Sequence, residues 1–144
     1  MKFTLKDYQE DALREILRNL AEAKQDWHTR HRRSAFALSA TTGAGKTVIA
    51  AAAIESIFYG NDEYDAEADH GAVVLWFSAD PTLNEQTRFR LMEASDRISH
   101  SDLVVVKPTF NAERLSPGKV YFLNTQKLSR TSMLVRGYPS EDAL

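Results

Sequence analysis

Residues 40–47 read Ala40-Thr41-Thr42-Gly43-Ala44-Gly45-Lys46-Thr47. They stand between the short apolar run Ala35-Phe36-Ala37-Leu38 and an alanine- and isoleucine-rich segment, residues 46–59, that contains no helix breaker. This patterning predicts a strand, a glycine loop and a helix in that order. It restricts the chain to folds in which a buried strand delivers a tight backbone turn directly to the start of a helix. The remaining apolar runs agree with that restriction. Val73-Val74-Leu75-Trp76-Phe77 has strand length, and Pro81 after it opens a helix at a position where a missing amide donor costs nothing. Leu103-Val104-Val105-Val106, ended by Pro108, and Val120-Tyr121-Phe122-Leu123, reached through the turn Ser116-Pro117-Gly118, are further strand candidates. Strands near 35–39, 72–78, 103–106 and 119–124 are therefore expected to form a largely parallel sheet flanked by helices, an α/β fold.

From residue 7 to about 24, Ala12, Leu13, Ile16, Leu17, Leu20 and Ala21 recur at helical spacing, with Arg14, Glu15, Arg18 and Asn19 between them. An amphipathic helix capped by Asp7 is expected there. The polar, basic stretch Trp27-His28-Thr29-Arg30-His31-Arg32-Arg33 is expected to break its pattern. Arg30-His31-Arg32-Arg33 is read as a solvated face, with nucleic-acid contact as the alternative. Residues 60–71 are acidic and poor in large apolar side chains, so a solvated loop is expected. Trp76 and Phe77, inside an apolar strand, are read as core.

Composition narrows the chemistry. With 43% hydrophobic and 26% charged residues in 144, the chain has the balance of a soluble globular domain. A net charge of −2 and a pI near 6.1 give no overall footprint for a polyanion, so any such surface must be local. There is no cysteine, which excludes disulfides and thiolate metal sites. His28, His31, His70 and His100 have neither metal-ligand spacing nor carboxylate company. No signal peptide and no membrane-spanning run is present, and a cytoplasmic protein without a membrane partner is expected.

The glycine loop carries the most specific chemistry. Its glycines let successive backbone amides point inward, and the helix that follows offers free amides and a partial positive charge to phosphate oxygens. Lys46 supplies a mobile cation for the outer phosphates, and the Thr47 hydroxyl is placed to coordinate a bridging magnesium ion. Thr42, Gly43, Ala44, Gly45 and Val48 complete the expected phosphate-binding segment. Ala40 stands where the usual pattern has its first glycine.

Taken with its surroundings, the chain resembles the first RecA-like lobe of superfamily 2 helicases. The likeness is greatest to the group containing type III restriction-enzyme helicase subunits and the helicase/UvrB amino-terminal domain. Residues 40–47 match that group's motif I, in which an alanine commonly opens the loop. Leu5-Lys6-Asp7-Tyr8-Gln9-Glu10-Asp11-Ala12-Leu13 resembles the Q-type motif. The resemblance implies that Gln9 reads the adenine edge; Tyr8 is read as stacking on the base or as packing on the first helix. Trp76-Phe77-Ser78-Ala79-Asp80-Pro81-Thr82-Leu83-Asn84-Glu85-Gln86-Thr87 and Asn124-Thr125-Gln126-Lys127-Leu128 resemble two later motifs. By that likeness Pro81, Thr82, Gln86, Thr125 and Gln126 meet the nucleic-acid backbone.

The resemblance implies a three-layer P-loop NTPase fold that uses ATP and Mg2+ and acts on nucleic acid, DNA in preference to RNA. Its partners would be further helicase lobes or a restriction or modification subunit. In this reading residues 1–34 hold the first helix, the Q-type motif and a basic linker, and residues 35–144 a partial RecA-like domain. The family's motif II departs: no Asp-Glu pair follows an apolar strand, and Asp62-Glu63 lies in the acidic segment. Asp80 is the only substitute, and it reads as a helix N-cap. A chain truncated before motif II, binding ATP but hydrolysing it little alone, is the expectation. A small P-loop nucleotide kinase and a non-enzymatic nucleotide-binding module are the alternatives.

Overall fold

The computed structural model describes residues 1–39, 45–78, 81–106 and 115–124. Two compact units divide them, Met1–Asp69 with Ala94–Arg97 and residues 70–93 with those from 98 on.

The first unit is built on two helices, α1 (Asp7–Arg30) and α2 (Lys46–Tyr59). In α1 the buried residues Gln9, Leu13 and Leu17 are spaced four apart and so share one face. Leu13 and Leu17 pack with Ala52 and Ala53 of α2, and Met1, Leu5, Ile16, Tyr64 and Ala66 close around them. Small alanines let the two helices approach. Helix α2 buries Ile49, Ala51, Ala52, Ala53, Ile54, Ser56 and Phe58, nearly all round, as its composition implies.

Both ends of α1 depart from expectation. Asp7 is the first helical residue and Lys6 the cap, and the Gln9 Oε1 accepts a 2.9 Å hydrogen bond from the Lys6 amide, satisfying a donor that a polar cap would otherwise need. The helix also runs through the basic stretch to Arg30 and stops at His31, whose φ is 53°. Polarity alone does not break a helix. No glycine or proline intervenes between residues 24 and 30, and His28 and Arg30 complement the negative end of the helix dipole.

Residues 60–69 hold the short 3-10 helix Asp62–Tyr64 and a bridge between Asn61 and Ala66. Asp62, Glu63, Asp65 and Glu67 are exposed as expected, while Tyr64 and Ala66 turn onto the helical core. Lys24 Nζ reaches Asp69 at 2.9 Å and ties α1 to the end of the segment. The α-amino group of Met1 lies 3.0 Å from Glu55 and 3.1 Å from Asp96, and Ser95 Oγ donates to the same Glu55 carboxylate.

The second unit is a parallel sheet in the order β1-β3-β2, with β1 at Val73–Ser78, β2 at Leu103–Val105 and β3 at Lys119–Asn124. Parallel neighbours require a crossover, and α3 (Pro81–Ala94) leads from β1 toward β2. Val74 pairs with Val120 and Ser78 with Asn124, while Leu103 also faces Val120. Central β3 buries Val120, Tyr121, Phe122, Leu123 and Asn124. Edge strand β1 alternates instead. Trp76 turns toward Phe122, ring centroids 6.0 Å apart, whereas Phe77 is 49% exposed and is not the core residue expected.

The expected strand at 35–39 is absent: these residues are outside helix and strand and fully on the surface, with Phe36 and Leu38 exposed. An apolar run becomes a strand only where a neighbour accepts its backbone hydrogen bonds, and it is paired with none of the described strands. The sheet therefore has three of the four expected strands among the described residues. Its parallel character and the alternation with helices are those of an α/β P-loop fold. Among the described residues no helix is long and apolar enough to cross a membrane.

Candidate nucleotide-binding site

Helix α2 starts directly after Gly45, whose φ of 76° is a conformation that L side chains rarely adopt. The Gly45 carbonyl accepts the Ile49 amide at 3.0 Å, so the helical ladder begins there. The amides of Lys46, Thr47 and Val48 precede that first bond and have no intrahelical acceptor. The cap residue is a glycine and offers no side-chain acceptor, and no acidic residue lies in the first turn. Three outward amides, a helix dipole and the exposed Lys46 ammonium together favour an anion. Thr47 and Val48 are half-buried beside them.

Gln9 sits against this turn. A Cβ built on Gly45 would overlap the Gln9 Nε2, so the carboxamide occupies the space that only glycine leaves free. Its oxygen is held by Lys6, and the residue is 6% exposed. By residue type alone Gln9 reads as a solvated side chain. The signal for its burial is its place four residues before Leu13 and eight before Leu17. Tyr8, one step around the helix, is 46% exposed.

The structure thus brings Gln9 to Gly45, next to Lys46 and Thr47. Thr42, Gly43 and Ala44 lie outside the described residues, as do Ala40, Asp80, Thr125 and Gln126. In the second unit Pro81 opens α3, and Thr82 and Gln86 are exposed on it. Sequence reading passes over two neighbours of these positions. Asn84 on α3 and Asn124 at the end of β3 are buried, 2% and 8% exposed, and the Oδ1 of each has no hydrogen-bond partner. Asn124 stands in register with Ser78 at the carboxyl ends of two parallel strands, the edge at which open α/β sheets receive ligands.

Residues at the start of α2 fit a polyphosphate: the donors are amides and one ammonium, and all of them suit oxygen anions. For a divalent cation the described residues offer the Thr47 hydroxyl, and no group of three or more His, Asp or Glu side chains is gathered to hold a metal by itself. Magnesium fits here as an ion carried in with the phosphates.

A family model described as "Type III restriction enzyme, res subunit" matches residues 2–142. No curated protein and no solved structure matches the chain.

Proposed function

The chain belongs to the type III restriction enzyme res-subunit family, and on that premise we propose that it supplies the nucleotide-binding part of an ATP-dependent helicase or translocase acting on nucleic acid. The observation that carries the reading is the seating of the Gln9 carboxamide against Gly45, at the head of a helix whose cap residue offers no side-chain acceptor to its first amides. A base-reading amide beside a phosphate-binding turn suits a purine nucleotide better than a free anion.

In this proposal the amides of residues 45–48 and the Lys46 ammonium hold the β- and γ-phosphates. Thr47 contributes its hydroxyl to the magnesium they carry, whose chemistry is to neutralise charge on the transferred phosphoryl group. Gln9 contacts the adenine edge, and Tyr8 is exposed for stacking on it. Pro81, Thr82, Gln86, Thr125 and Gln126 meet phosphates of a nucleic acid, which gives affinity without sequence preference. The unpartnered Oδ1 of Asn124 supports a polar ligand at that sheet edge, and the unpartnered Oδ1 of Asn84 supports one on α3. Hydrolysis by the chain alone is expected to be slow, because no Asp-Glu pair follows an apolar strand in the sequence.

Titration calorimetry with Mg-ATP tests the reading. Saturable heat that Lys46→Ala abolishes and Gln9→Ala weakens supports it. Equal affinity for ATP and inorganic triphosphate in wild type and Gln9→Ala overturns the adenine-reading role.

A further inference from the structure

The carboxyl end of α1 presents an unusual surface. Trp27 is 46% exposed on the last turn, and the His31 ring meets it edge-on, centroids 5.3 Å apart and planes at 61°. Trp27 and Arg30 are three apart on the helix and so share a face, and the ring contact brings His31 to it. Arg32 and Arg33 follow at once, exposed and beyond the helix.

These guanidinium groups differ from three others in the chain. Arg14, Arg18 and Arg88 are each paired with a carboxylate three residues away. Among the described residues Arg30, Arg32 and Arg33 have no ion-pair partner. The sequence contains no Asp or Glu between Asp26 and Glu55, and Asp26 already accepts a hydrogen bond from Ser34. In a chain of net charge −2 this is a local positive surface. Helix-dipole complementarity explains a cation on the last turn. It explains neither an exposed tryptophan nor two arginines past the cap.

Stacking surface interleaved with unpaired guanidinium groups is the chemistry that binds single-stranded nucleic acid. We propose that Trp27, Arg30, His31, Arg32 and Arg33 form an accessory contact for a single strand. A base stacks on the Trp27–His31 pair and the three arginines take neighbouring phosphates. The contact stands on its own residues and needs no nucleotide at α2.

The chain has two tryptophans, so in a Trp76→Phe background Trp27 is the only one. Titration of that chain with oligothymidylate, without ATP, is expected to quench its emission. With labelled oligothymidylate followed by anisotropy, replacing all three arginines by alanine should flatten the slope of log affinity against log salt by about 2. Trp27→Ala should weaken binding about tenfold, and Trp27→Phe should restore most of it. Both aromatic variants alter an exposed side chain and should leave the unfolding midpoint in place. An unchanged salt slope, absence of quenching, or equal binding and quenching by polyglutamate overturns the proposal. Mg-ATP calorimetry separates the two readings: heat retained in these variants while oligonucleotide binding falls supports a contact distinct from the nucleotide site, whereas an unsubstituted chain that takes up Mg-ATP but binds no oligonucleotide overturns this contact and leaves the nucleotide site standing.

Discussion

Gln9 Nε2 fills the space beside the Cα of Gly45, so a side chain on α1 and a backbone turn before α2 constrain one another. Gly45→Ala therefore meets two obstacles, a φ of 76° and a collision with the carboxamide. The first costs roughly 1–2 kcal/mol wherever the side chain goes. The second disappears if Gln9 is shortened. Urea unfolding is expected to show Gly45→Ala losing more than the backbone cost alone, and less in a Gln9→Ala background, with a coupling of about 0.5–3 kcal/mol in the cycle. Additive losses would mean that the two residues do not touch.

A second prediction concerns pH. Burial lowers the pKa of the Met1 ammonium, but its hydrogen bonds to Glu55 and Asp96 outweigh that and hold it above the ordinary value of 8.0. A group whose folded pKa is raised contributes stability that is complete below its unfolded pKa and is lost as pH climbs through the folded one. The melting temperature should accordingly fall as the pH rises above about 8. Glu55→Gln should lower the plateau and flatten that decline. At the acid end the same contact depresses the Asp96 pKa, so its contribution is present above the ordinary carboxylate value and fades as pH drops through the depressed one.

What could be read from the sequence was what depends on neighbours along the chain. Helix α2 was legible to its ends because Gly45 and Gly60, both at positive φ, punctuate an unbroken alanine-rich run. β1 and β3 announced themselves as apolar runs between turn residues. The strand expected at 35–39 was not decidable that way, because strand formation rests on a partner elsewhere in the chain. The same limit applies to Phe77: a continuous apolar run does not say which alternate side chains a sheet will cover. At the site, Lys46 and Thr47 were named by their loop. The burial of Gln9 followed only from its register with Leu13, and the unpartnered Oδ1 atoms of Asn84 and Asn124 had no local signature.

Those two asparagines lead to a third prediction. A buried acceptor without a donor costs about 1–3 kcal/mol, whereas an apolar side chain of similar shape in its place can be neutral or stabilising. Asn84→Leu is therefore expected to keep or raise the unfolding midpoint in urea. If the carboxamide serves a nucleic-acid ligand, the same variant should bind oligonucleotide less tightly. Loss of stability of more than about 1 kcal/mol would indicate that Asn84 is satisfied within the folded chain.

Core burial and surface pairing in the first unit should separate by magnitude. Leu13 is 1% exposed and contacts α2, so Leu13→Ala is expected to cost about 2–5 kcal/mol. Lys24 and Asp69 form a close pair but are 41% and 38% exposed, and Lys24→Ala should cost at most about 1 kcal/mol, less in high salt. Comparable losses would show that the ion pair, and not the helix interface, fixes residues 60–69.

The last prediction separates two neighbours on β1. Trp76 and Phe77 stand side by side in the sequence and look equally apolar, but a strand turns them to opposite faces. Trp76 is half-buried and faces the Phe122 ring, so Trp76→Ala should remove that contact and cost on the order of 2–4 kcal/mol. Phe77 is 49% exposed, together with Val73 at 37% and Leu75 at 43%, all on the other face. Phe77→Ser should change stability by less than about 1 kcal/mol, because water already reaches the ring. Removing the ring also shrinks an exposed apolar patch, so solubility should rise. Equal costs for the two substitutions in urea unfolding would mean that the outer face of β1 is covered in solution, and the alternating burial of this strand would then be wrong.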